Sequence, residues 1–216
     1  TRAFQVQATE VTRGMFKARM GYDPSLSGSC VTADCPVQNL SWHDAAAYCN
    51  MLSKHLGLSV CYTCTGTGAA VRCDDAAAYM GSKIHGCPGF RLPTEAEWEW
   101  AYRAGTQTAY HNGANSPAGC TCKPKDTAAG AIAWYCGNSG GRDHPVGRRQ
   151  PNALGLYDMA GNVGEWCHDG YAPDLGVASA VDPVGARIAK GTVVVRGGSW
   201  GGPAQDLRAA ARTSND

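Results

Sequence analysis

Two carboxylates seven residues apart, Asp158 and Glu165, flank the turn Asp158-Met159-Ala160-Gly161-Asn162-Val163-Gly164-Glu165. Hard cations take about six to eight oxygens, and Ca2+ accepts backbone carbonyls beside carboxylates, so a Gly-Asn turn whose carbonyls point inward is a candidate calcium loop. For this spacing taken alone, a surface turn with solvated acids is the preferred reading.

Sulfur is the second chemical signal. The chain carries 11 cysteines among 216 residues, more than a protein of this size in a reducing compartment usually keeps. They fall into clusters: Cys30 with Cys35, then Cys61, Cys64, Cys73 and Cys87, then Cys120, Cys122 and Cys136, with Cys49 and Cys167 apart. Cys61, Cys64, Cys73 and Cys87 could make a four-thiolate zinc site, but they lack the paired CxxC…CxxC spacing. Disulfides are the preferred reading for all three clusters. The short loop between Cys30 and Cys35 makes them the expected pair, and the other partners are open. Cys49 falls on the apolar face of a helix, as a buried free thiol would. Cys61-Tyr62-Thr63-Cys64 opens no helix that would lower a thiol pKa, which argues against redox exchange there.

Other chemistry is thinly represented. The six histidines, at 43, 55, 85, 111, 144 and 168, stand singly without an HxxxH pair. No GxSxG nucleophile motif occurs, and Thr65-Gly66-Thr67-Gly68 lacks the strand and helix of a phosphate loop. Nineteen Lys and Arg against 18 Asp and Glu leave a net charge of +1, which gives no excess for nucleic acid or an anionic membrane surface. No run of apolar residues is long enough for a membrane span, and Thr1 to Val6 does not read as a signal peptide. The cysteines therefore imply an extracytoplasmic protein whose export signal lies outside this stretch.

Three helices are expected to position these residues. Thr12 caps a short one through Met15, Phe16 and Met20, ended by Gly21, after a strand-like Phe4-Gln5-Val6-Gln7. Ser41 with Asp44 forms an Asp variant of the capping box ahead of Ala45, Tyr48, Cys49, Leu52 and Leu56, with Gly57 closing the helix. Thr94 with Glu97 is a capping box ahead of Trp98, Ala101 and Tyr102, with Gly105 as the left-handed terminator. The 28 glycines, about twice ordinary usage, and the Gly, Asn, Pro and Ser punctuation after residue 105 predict long loops around short apolar runs such as Leu154-Tyr157 and Val193-Arg196. Nothing divides the chain, so residues 1–216 read as a single domain.

Five segments in order resemble the formylglycine-generating enzyme family, also called the sulfatase-modifying factor domain: Thr9-Glu10-Val11-Thr12, Pro36 to Trp42, Arg91 to Glu99, Gly155 to Val163, and Val195-Arg196-Gly197-Gly198-Ser199-Trp200. The resemblance implies an α+β, C-type-lectin-like fold, loop-rich, with few short helices and small antiparallel sheets. It also implies a structural Ca2+ on the Asp158 side chain, the Gly161 and Val163 carbonyls and the Glu165 side chain. The family pattern begins before Thr1 and runs past Asp216 into a closing strand, so both ends read as trimmed. Another chain could supply that strand.

Two departures bear on activity. Catalytic members carry paired copper-binding cysteines after the Gly-Gly-Ser-aromatic turn, whereas Gly201 to Arg208 contains none, with Gly202 and Leu207 near the thiol positions. Gly164 replaces a tryptophan that lines the family's catalytic pocket. Glycine and leucine supply neither a soft Cu(I) ligand nor a nucleophilic thiolate, so no copper and no catalytic residue is expected. The cleft keeps Ser199, Trp200, Gln205, Asp206 and Arg208, with Arg212 nearby, as candidate ligand-binding residues. The expected role is binding or surface assembly with a protein or glycan at the cell surface, or with neighbouring copies of itself. Two alternatives stand: a lectin-like protein diversified over Gly201 to Asp206, and a copper-dependent oxidase converting a protein cysteine to formylglycine with thiols from elsewhere, such as Cys167.

Overall fold

The structure is a computed structural model that describes residues 2–26, 30–113, 122–123, 126–175, 180–186 and 191–215. The helices form where their caps predict. In α1 (Arg13–Met20) the Thr12 side chain accepts from the Met15 amide and Gly21 takes φ 81°. In α2 (Trp42–His55) both halves of the Ser41/Asp44 capping box are made, and Gly57 follows at φ 68°. In α3 (Glu95–Arg103) both halves of the Thr94/Glu97 box are made. The α3 turn-off comes one residue early, because Ala104 itself takes the left-handed conformation at φ 47° before Gly105 at φ 91°.

A fourth helix, α4 (Thr127–Ile132), was not anticipated; Gly130 and its six-residue length hide it, while the Asp126 side chain caps it by accepting from Ala128 and Ala129. The expected strand at 4–7 does not form: these residues pair with no other segment and leave most side chains in solvent, and only Phe4 finds an aromatic neighbour, the edge of Trp100. Of the apolar run Leu154-Tyr157, Leu154 lies in a turn and Leu156 is buried in the core.

The sheets are small and antiparallel. Strands β1 (Tyr62–Thr65) and β2 (Arg72–Asp75) make a hairpin in which Cys64 lies opposite Cys73. Strands β3 (Glu165–Gly170), β4 (Val193–Arg196) and β5 (Thr213–Asn215) make a second sheet in the order β3-β4-β5. One core cluster packs Trp98, Tyr102, Tyr110, Tyr135, Leu156, Cys167, Val194 and Leu207. A second gathers Trp42, Tyr62 and the hairpin cysteines. A third joins α1 to α2 through Phe16, Val37 and Tyr48.

Four disulfides link Cys30 to Cys35, Cys61 to Cys87, Cys64 to Cys73 and Cys122 to Cys136. The Cys30–Cys35 expectation is met, and the four-thiolate zinc reading is excluded because its ligands are consumed in two bonds. Cys120 lies outside the described residues. Cys49 and Cys167 are buried free thiols.

Candidate functional site

Arg196 at the end of β4 is fully buried and anchors the site region. Its Nη2 donates to Glu99 Oε2 on α3 at 2.5 Å and to the Ala209 carbonyl at 2.7 Å. The guanidinium thereby ties α3 to the chain returning from the loop at 197–208. Gly197 and Gly198 are required at the loop's start. Both take positive φ, and a Cβ on Gly198 would lie 2.9 Å from the Asp206 carbonyl.

Asn162 organises the neighbouring loop. Its amide donates to the Trp134 carbonyl at 2.8 Å and its carbonyl accepts from the Trp200 amide at 2.7 Å. Its side chain accepts from His144 N at 2.9 Å and donates to Glu10 Oε2 at 2.7 Å. Glu10 Oε1 also accepts from the Val163 amide at 2.9 Å. Neither Glu10 nor Asn162 was singled out from the sequence. Both stand in quoted motifs, but the contact spanning more than 150 positions has no local signature.

This arrangement draws three carboxylates together. Asp158 Oδ2 accepts from the Gly147 amide at 2.6 Å, and Glu165 Oε2 accepts from the Trp98 indole at 2.6 Å. Burial raises the Glu10 carboxyl well above its ordinary range, and the nearby Asp158 and Glu165 charges raise it further. Burial also lifts Glu165 to about 7, against the Trp98 hydrogen bond, and the Asp158 charge adds to the rise. Asp158 is raised by burial too.

Buried acids that repel one another are a setting a divalent cation relieves. One oxygen of Asp158 and one of Glu165 remain beyond the bonds named, and the Gly161 and Val163 carbonyls belong to the same turn, a donor set of hard oxygens that fits Ca2+. Among the described residues no group of three or more His, Cys, Asp or Glu is arranged for a metal, so a cation here would depend on backbone carbonyls and water.

The loop after Gly198 separates its residues by exposure. Ala204 and Leu207 are fully buried; the Tyr110 hydroxyl donates to the Ala204 carbonyl at 3.0 Å and the Tyr102 hydroxyl to the Leu207 carbonyl at 2.6 Å. Gln205 and Arg208 face solvent, while Ser199, Trp200 and Asp206 are half-buried. Arg208 Nε donates to the Gln205 carbonyl at 2.8 Å, so Asp206 and Arg208 do not pair. The Cys136 amide donates to the Gly202 carbonyl at 3.1 Å, and Ser139 Oγ donates to the Trp200 carbonyl at 2.9 Å.

Arg212 turns away from this cluster to bond Glu95 through both its Nε and Nη2, at 2.5 and 2.8 Å. Gly164 has no room for the missing tryptophan as the chain lies, since even a Cβ would come within 2.8 Å of Val195 Cγ1. Cys167 is wholly buried, and burial holds its thiol pKa well above the ordinary value.

The family described as the sulfatase-modifying factor enzyme 1-like domain matches residues 1–216. The chain is 31% identical over 192 residues to the chaperone protein LppX of Paenibacillus barcinonensis, covering 78% of this chain and 63% of that one. It is 31% identical over 213 residues to the formylglycine-generating enzyme of Thermomonospora curvata, covering 89% and 55%. It thus spans less than two thirds of either relative's length. Treponema denticola variable protein 1 superposes with a TM-score of 0.72 at 34% identity, covering 96% of this chain and 77% of that one.

Proposed function

This chain belongs to the sulfatase-modifying factor enzyme 1-like family, and from that premise we propose that it is a non-catalytic, extracytoplasmic member that binds a protein or glycan, or copies of itself, through the loop 198–208. One observation carries the reading: at the loop positions near which catalytic members hold thiols, this chain has Gly202 and a Leu207 side chain buried in the core. The free thiols among the described residues, Cys49 and Cys167, are buried in separate core clusters. Cys167 shares its cluster with Leu207, so for two thiols to converge on the loop Cys49 would have to leave its own core. Four disulfides support the extracytoplasmic assignment. The crowded carboxylates of Glu10, Asp158 and Glu165 support a structural Ca2+ beside the loop.

The function is tested by Cu(I) titration together with oxidation of a cysteine-containing peptide under oxygen. The expected result is no formylglycine product and no copper affinity beyond that of a variant lacking Cys49 and Cys167; turnover of the peptide would remove the reading. For calcium, the expected result is a rise in melting temperature with added Ca2+ that Asp158→Asn abolishes. A second reading, a binding protein diversified over Gly201 to Asp206, draws support from the likeness to Treponema denticola variable protein 1 and from the solvent-facing Gly201 and Gln205. Sibling genes differing chiefly at those positions would favour it.

A further inference from the structure

Among the described residues the guanidinium of Arg149 has no carboxylate partner. Its Cζ lies 3.5 Å from the centroid of the Trp134 ring, and the imidazole of His144 stacks on the same indole at 3.7 Å with 15° between planes. Two groups at those distances cannot share one face, so the indole is sandwiched and the outer face of the guanidinium looks outward. Other arginines of the site region, Arg91, Arg103, Arg196 and Arg212, all reach glutamates. Arg149 Nε and Trp134 Nε1, like Arg196 Nε, are buried donors without a hydrogen-bond partner among the described residues. A desolvated donor left unpaired is costly, and burial alone lowers the Arg149 pKa. Stacking on the indole offsets part of this cost but satisfies none of the N–H groups.

Arg149 lines a shallow groove of about 380 Å³ beside α4, with Asp126, Thr127, Gly130, Ala131, Tyr135 and Asn138. Most of the polar atoms there are committed. Asn138 accepts from the Tyr135 amide at 2.9 Å and donates to the Ala133 carbonyl at 2.9 Å. The Tyr135 hydroxyl accepts from the Asp126 amide at 2.8 Å. Asp126 Oδ1 accepts from the Ala128 and Ala129 amides at 2.9 and 3.0 Å, which holds its negative charge at the rim.

Arg149 Nε is shut off from solvent, so the fork open to a ligand is the Nη1/Nη2 end, which like the exposed Thr127 hydroxyl is uncommitted among the described residues. A planar fork matches a carboxylate. The fixed Asp126 charge disfavours a dianion, and Gly130 with Ala131 leaves a low wall on which the C–H face of a sugar ring can lie. We propose that this groove binds a carboxylate-bearing sugar, of the uronic acid class, with Arg149 gripping the carboxylate and Thr127 a ring hydroxyl. The groove borders the loop 198–208, since the Cys136 amide next to Tyr135 donates to the Gly202 carbonyl, but it takes none of its lining from that loop and is tested without it.

The test is a titration of the 15N-labelled full chain with sodium glucuronate, following the Trp134 indole N–H and the Arg149 Nε–H by NMR. Saturable shifts of both signals are expected with glucuronate and none with glucose; sulfate should bind more weakly than glucuronate. Arg149→Gln should abolish the response, and Arg149→Lys, which keeps the charge but not the fork, should weaken affinity about tenfold. If the glutamine variant fails to fold, the lysine variant decides. Absence of saturation, an equal response to glucose, tighter binding of sulfate, or unchanged affinity in Arg149→Lys would each overturn the assignment.

Discussion

Replacing Glu97 with Gln tests whether the α3 capping box is more than a local signal. In the structure Arg91 grips both oxygens of Glu97 at 2.6 and 2.7 Å. The Thr94 amide donates to Oε2 at 2.8 Å, and His85 Nδ1 stands 3.2 Å from Oε1. Burial works against the charge, yet the Arg91 pair, the Thr94 amide and the charges of Arg91 and His85 hold the carboxyl at about 2, below its ordinary 4.5. That displacement corresponds to about 3 kcal/mol in favour of the ionised form. Screening at a side chain 12% exposed reduces the figure to about 2 kcal/mol.

Glutamine keeps an acceptor for Thr94 but puts an NH2 where the second oxygen accepts from Arg91, so Glu97→Gln removes the charge and one Arg91 bond and should cost at least about 2 kcal/mol at pH 7, a loss of roughly 4 to 8 °C or more in melting temperature. A carboxylate whose pKa is depressed by folding contributes stability above its unfolded pKa and loses it as pH falls toward the folded value. The difference between wild type and variant should therefore shrink between about pH 4.5 and about pH 2, to roughly half by pH 3. Urea denaturation at pH 7 and pH 3, with the disulfides intact, measures it. A difference below about 0.5 kcal/mol at pH 7, or one that does not change with pH, would refute the reasoning.

Three further outcomes follow from other parts of the fold. Removing Cys61–Cys87, with a sequence separation of 26, should destabilise more than removing Cys64–Cys73, with a separation of 9. Loop closure predicts a gap of about 1 kcal/mol, read by denaturation of the paired Cys→Ala variants. Cys49, whose thiol burial lifts to about 12, and Cys167, also lifted by burial, should resist iodoacetamide at pH 8 until denaturant is added. Mass spectrometry reports it, and rapid native labelling of Cys167 would revive the oxidase alternative. Gly161→Ala should cost several kcal/mol or prevent folding, because Gly161 sits at φ +78° and its Cβ would meet the Trp134 carbonyl at 2.2 Å; a melting temperature within a few degrees of wild type would contradict it.

The parts of the fold legible in the sequence are those written in neighbouring residues. Thr12, Ser41/Asp44 and Thr94/Glu97 announce helices because an N-cap bonds an amide only two or three positions away. The Cys30–Cys35 bond could be expected for the same reason of proximity. Helix α4 is not legible in the sequence because its six residues include Gly130 and carry no periodic apolar face. The alternation at 4–7 does not become a strand because alternation describes a strand's faces and says nothing of whether another strand lies alongside.

At the candidate site the division is sharper. The residue order by itself determined that Gly202 and Leu207 cannot act as thiols and that Asp158 and Glu165 share one turn, since chemical identity and short spacing need no fold to be read. Only the tertiary structure decided that Glu10 comes from the far end of the chain to crowd those carboxylates, that Arg212 leaves the loop for Glu95, that Arg149 stacks on Trp134, and which cysteine meets which. Those outcomes depend on burial and on contacts between distant segments, and both exist only once the chain has closed on itself.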